Sequence, residues 1–149
     1  MHKIIYLLGL ITLGLITSCE REAESESPDP FNFNISGQWE VNAYIDSTFV
    51  FGPFRVITHK DNSTESDSIT IQDVDEQFWK FRISALADVK QGTFGTKLSN
   101  CEISEENIGV KIPYGKVINP DSIYFEIQFE DDITPYGNNY QLRGHRAIE

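Results

Sequence analysis

Cysteine, histidine and basic residues are all scarce in this chain. Its 149 residues include 2 Cys, 3 His and 12 Lys+Arg, the last set against 23 Asp+Glu. Two cysteines cannot build a disulfide framework, so a folded domain here must stand on its apolar core. A net charge of −11 opposes binding to nucleic acid, where Lys and Arg must neutralise phosphates. It suits solubility, or a neutral or cationic partner. The chain also has no G-x-S-x-G elbow, no H-E-x-x-H, no C-x-x-C and no Gly-rich phosphate loop. Nothing in it points to a metal or a cofactor, and no motif marks it as an enzyme. After the first eighteen residues no segment carries a helical apolar period.

Those first residues, MHKIIYLLGLITLGLITS, place Lys3 before an uncharged, largely apolar run from Ile4 to Ile16. Such a run is short for a membrane span, which needs about 20 apolar residues. It reads as the core of a cleaved signal peptide, residues 1–18. Ile16-Thr17-Ser18-Cys19 resembles the lipobox of bacterial lipoproteins, where the Cys thiol is acylated before cleavage. Several acyl chains of the palmitate kind on Cys19 would form a durable anchor, since each buried methylene contributes about 0.8 kcal/mol. Cleavage removes one lysine and no acid, so the mature chain is more acidic than the whole. Residues 19–35 then form the lipidated Cys and an acidic linker. Its stretch EREAESESPDP has two prolines and no large apolar side chain, as expected of an extended tether. An acidic run after the lipidated Cys also resembles the surface-export signal of Bacteroidota lipoproteins. The expected location is the outer membrane, with the periplasmic face and the cell surface both open. With Cys19 acylated, Cys101 has no partner and reads as a small buried hydrophobe.

Residues 36–149 show a period of two. Trp39, Val41, Ala43 and Ile45 alternate with polar neighbours, as do Ile123, Phe125, Ile127 and Phe129. Ile108, Val110 and Ile112 repeat the pattern, and Trp79, Phe81, Ile83 and Ala85 give a further face. These are half-buried strands. The stretch from Phe49 to His59 is strand-like but interrupted at Gly52-Pro53, which predicts a bend, bulge or edge position. Turn residues separate the runs: Lys60 to Ser68, Asn119 to Ser122, and Pro135 to Asn139. About eight short strands at this spacing predict an all-β antiparallel barrel or sandwich. An eight-stranded barrel is just wide enough to be filled by side chains or to hold one small ligand.

Gly37-Gln38-Trp39 is similar to the G-x-W start of lipocalin-like barrels. That likeness implies a Trp under the barrel floor with an Arg of the last strand across it, for which Arg143 and Arg146 are the candidates. A fuller resemblance is to the lipid-binding putative hydrolase family of Bacteroidota lipoproteins. It rests on SGQWEVNAYID, FGPF at 51–54, the FWKF segment, DSIYFEIQFEDD at 121–132 and GHR at 144–146. The resemblance implies a lipocalin-like barrel over residues 36–149 that binds a lipid-like molecule.

The candidate ligand-binding residues are the inward aromatics Phe54, Trp79, Phe81, Phe125 and Phe129, whose alternative role is core filling. Tyr44, Tyr124 and Tyr136 could instead form an outer surface for glycan or another protein. His59 and His145 are the histidines that remain after cleavage, and the only candidates for a hydrolytic base. Crowded oxygen ligands at Asp61, Asn62, Glu65 and Asp67 and at Glu130, Asp131 and Asp132 could hold calcium, but they lack the spacing of a calcium loop. The expected partners are the membrane, through the anchor, and a small apolar or amphipathic molecule.

Overall fold

A computed structural model of the chain describes residues 34–60 and 67–148. The expected signal peptide, Cys19, most of the expected linker, and Asp61, Asn62 and Glu65 lie outside the described residues.

Among the described residues eight strands follow one another without a helix: β1 (Gly37–Ile45), β2 (Thr48–Lys60), β3 (Ser68–Asp73), β4 (Arg82–Asp88), β5 (Thr93–Asn100), β6 (Gly109–Asn119), β7 (Ser122–Phe129) and β8 (Tyr140–Arg146). Each pairs antiparallel with the next, and β8 returns to β1 to close the barrel. Closure removes every free sheet edge. Period two decides which side chains face inward. Trp39, Val41 and Ala43 of β1 are fully buried, and so are Ile127, Phe125 and Phe129 of β7. The alternation from Trp79 to Ala85 is only partly a strand, because β4 begins at Arg82. The interior is filled by this apolar set, together with Phe54, Ile71, Phe81, Ile83, Val110 and Leu142.

Turn chemistry sets the registers. Asp46 and Ser47 both have positive φ, 47° and 69°, which makes the two-residue turn whose twist suits a hairpin between β1 and β2. Pro120 and Asp121 join β6 to β7, and Asn119 Oδ1 accepts from the Asp121 amide at 2.9 Å. The interruption at Gly52-Pro53 is a bulge. Val41 pairs with Phe54 and Ala43 with Phe51, so Gly52 and Pro53 together oppose Asn42. Gly52 has φ +138°, and a Cβ there would lie 2.4 Å from Asn42 Oδ1, so the position requires glycine.

One end of the barrel is a closed floor. The Arg146 guanidinium lies over the Trp39 ring, 4.3 Å from its centroid. Arg146 also donates to the carbonyls of Pro120, Ser36 and Asn34 at 2.8, 3.2 and 3.2 Å. Trp39 Nε1 donates to Thr58 Oγ1 at 2.9 Å, and that hydroxyl donates to the Ile35 carbonyl at 2.6 Å. Ile35, placed in the linker by its sequence, is 1% exposed beside them. A Cβ on Gly37 would sit 2.0 Å from Arg146 Nη1, so the glycine of G-x-W makes room for the guanidinium. Arg143 does not share this role. It points outward, 5.1 and 5.8 Å from the ring centroids of Tyr44 and Tyr124.

Candidate functional site

The opposite end, which we call the mouth, carries the connections 46–47, 74–81, 101–108 and 130–139. Its shape begins with one carboxylate. Asp73 ends β3 pointing into the barrel and is completely buried. Its Oδ2 accepts from the amides of Phe78 and Trp79 at 2.8 and 3.2 Å, while Oδ1 is buried with no hydrogen-bond partner among the described residues. These bonds fold residues 74–81 into a strap across the mouth. Cys101, buried as expected, donates its thiol to the Lys80 carbonyl at 3.4 Å and ties the strap to the β5–β6 loop.

The strap sets two aromatic side chains on the barrel's end. Phe78 stacks on Phe54, with centroids 5.0 Å apart, and meets Tyr140 edge-on at 5.2 Å. Trp79 lies flat on Phe129, with centroids 4.3 Å apart and planes 2° from parallel. The indole Nε1–H donates to Asp131 Oδ1 at 2.9 Å, which fixes the ring's rotation. Around them runs an open cleft of about 560 Å³ lined by Phe78, Trp79 and Ile108, with Glu76, Lys80, Ser104, Glu105, Glu106 and Asp131 at its polar side. That size falls in the usual range for small-molecule sites.

Of the five aromatics expected to meet a ligand, the structure brings Trp79 alone to the cleft. Phe54, Phe81, Phe125 and Phe129 are 0–2% exposed and fill the interior, with Phe129 acting as the platform beneath Trp79. Phe78 went unremarked in the sequence because it is out of phase with the Trp79–Ala85 alternation. Its signal was its place beside Trp79 in FWKF.

The acidic residues of the β7–β8 loop take separate partners. Glu130 accepts from the Gly109 amide at 2.6 Å, Asp131 holds Trp79, and Asp132 accepts from Asn138 Nδ2 at 2.9 Å and from the Tyr140 hydroxyl at 3.1 Å. Among the described residues no three His, Cys, Asp or Glu side chains gather as metal ligands. The histidines do not meet either. His145 faces Glu40 across the β1–β8 seam, with Nε2 3.7 Å from Oε1, while His59 pairs in register with Thr70 of β3. Of the three outer tyrosines, Tyr44 and Tyr124 flank Arg143, whereas Tyr136 lies under Lys111 Nζ at 3.9 Å.

Burial, then the charge of Asp132 and the hydrogen bond to it, raise the Tyr140 phenol above its ordinary value. The folded state therefore favours the protonated phenol. Its contribution to stability is complete below the unfolded value of about 10 and is lost as pH rises through the folded one. Melting temperatures measured from about pH 9 to about pH 11 should fall, and Tyr140→Phe should flatten part of that slope. An unchanged slope would show that Tyr140 does not titrate with unfolding.

The sequence matches the model of the lipid-binding putative hydrolase family over residues 31–149. The chain belongs to this family. The match takes in the whole barrel, floor and mouth alike. No curated protein matches the chain. Among solved structures, a redesigned β-barrel aligns with a TM-score of 0.46 and 13% identity, covering 76% of this chain and 92% of that one.

Proposed function

We propose that this lipid-binding family member is an envelope lipoprotein, anchored through Cys19, whose barrel holds the apolar part of an amphipathic, lipid-like molecule at its mouth. The observation that carries the reading is the cleft beside the Trp79–Phe129 stack, where an apolar wall of Phe78, Trp79 and Ile108 adjoins a polar rim. Because the interior is filled from the floor upward, the ligand's tail lies along the strap and not along the barrel axis. Binding is the chemistry these residues support. Cys101 is buried against the Lys80 carbonyl and both histidines are exposed on the outer face of the barrel, so neither histidine is set beside this thiol.

The test is native mass spectrometry of the full chain purified from its membrane, followed by organic extraction of whatever it carries. A lipid-like adduct is expected, at least several-fold depleted in Trp79→Ala, and Cys19→Ser should move the protein to the soluble fraction. An adduct-free protein that takes up no amphiphile would overturn the reading. Glycan binding lost on Tyr124→Ala would then move the assignment to the outer face between Tyr44 and Tyr124.

A further inference from the structure

The rim of the mouth cleft has a strong sign of charge. Glu76, Glu105, Glu106 and Asp131 face it, against the single ammonium of Lys80. Other carboxylates near this end are already paired: Asp75 with Arg55 at 3.0 Å and Glu102 with Arg82 at 3.3 Å. Glu76, Glu105 and Glu106 form no ion pair among the described residues. Of the other cations among the described residues, Arg143 and Lys111 lie over outer tyrosines, Arg146 lies at the floor and Lys60 faces Asp67.

The second observation is the indole. One face of Trp79 is covered by Phe129, and its ring is held by the bond to Asp131, yet the residue remains half-buried and lines the cleft. Tryptophan is the strongest aromatic partner for a cation, because the negative face of its π-system attracts positive charge. An indole held in one orientation, with unpaired carboxylates around it, favours an ammonium group on both counts. An anionic head would meet repulsion from the same groups.

Resting on the mouth reading, we infer that the cleft selects cationic amphiphiles. The ammonium head, substituted or free, sits against Trp79 among Glu76, Glu105 and Glu106, and the alkyl chain follows Phe78 and Ile108. This assigns a charge to the ligand's head, which neither the fold nor the family description supplies.

The test uses the full chain carrying Cys19→Ser, which removes the acylation point and leaves the mouth unchanged. Titrations are run with three probes of equal chain length below their micelle concentrations: decyltrimethylammonium, a neutral decyl glucoside and decyl sulfate. The ammonium probe should bind about tenfold or more tighter than the sulfate, with the glucoside between them. About 0.5 M sodium chloride should shrink that preference. So should the triple change Glu76→Gln, Glu105→Gln and Glu106→Gln, whose exposed side chains carry little of the fold. Trp79→Phe keeps a ring on Phe129 and should weaken the ammonium probe more than the glucoside. Equal affinities, or a preference for sulfate, would overturn the charge selection and leave the mouth as a lipid site. Failure of all three probes would overturn the mouth reading itself.

Discussion

Replacing Trp39 with alanine is expected to lower the stability of the barrel by about 3–5 kcal/mol, a large share of the roughly 5–15 kcal/mol typical of a domain. Trp39 is fully buried, and its indole carries three functions at once. It fills the floor, donates to Thr58, and supports the Arg146 guanidinium 4.3 Å above its ring. Alanine would leave a cavity under Ile35 and remove the surface on which Arg146 rests. The guanidinium would keep its three carbonyl acceptors but lose its platform, so part of the loss is cation–π energy of about 0.5–2 kcal/mol. Thermal unfolding should show the melting temperature falling by roughly 10–20 °C. Trp39→Phe should fall less, since it keeps a ring and loses the bond to Thr58. A Trp39→Ala protein melting within a few degrees of the parent would show that the floor is not a principal source of stability.

The second large effect is expected from adding a single methyl group. Gly144 of β8 pairs with Val41 of β1 at the seam that closes the barrel. A Cβ at this position would lie 2.0 Å from the Glu40 carbonyl oxygen and 2.7 Å from the Val41 Cα. Both are backbone atoms and neither can rotate away, so Gly144→Ala must force β1 and β8 apart. Overpacking costs about 1–3 kcal/mol where side chains can adjust. Here the loss should reach or exceed the upper end, because seam hydrogen bonds go with it. Amide exchange should report the site, with protection lost in β1 and β8 before β3 and β4. Gly95→Ala is the control, because its Cβ would meet the Ile112 carbonyl at 3.0 Å and needs a much smaller shift. Equal losses for the two variants would show that the Glu40 and Val41 backbone contacts do not set the cost at Gly144.

The barrel was legible from residues that alternate against water on one side. β1 and β7 read directly from Trp39 to Ile45 and from Ile123 to Phe129, because a strand with one wet face must show period two. Gly52-Pro53 signalled a bend, bulge or edge through the amide hydrogen that proline lacks, and the structure makes it a bulge with Gly52 at φ +138°. The mouth was less legible. Trp79 and Phe81 keep the spacing of a strand, yet the Trp79 amide bonds to the Asp73 carboxylate in place of a neighbouring strand. Period two records which side chains are buried, and a strap lying over a core buries alternate residues for the same reason. Asp73 itself gave no sign, since an acid followed closely by Asp75 and Glu76 looks like the solvent end of a strand. G-x-W pointed to Trp39 and its Arg, but chose no one Arg. Arg146 falls opposite Trp39 in the β1–β8 register, and that register depends on closure of the whole barrel.

The floor also dictates an order of events in time. Its parts come from near the two ends of the described residues: Asn34 to Trp39 at the start and Arg146 at the end. A chain made from its N-terminus can form the hairpins of β1 to β7 as each is completed, since those pairings are local in sequence. The β1–β8 seam and the arginine clasp must wait for the last residues to be made. Until then β1 keeps an unpaired edge, and the nascent barrel is most open to misassociation. The clasp that finishes the fold therefore grips the lead-in to β1, so that the last residues made fix the first strand in place.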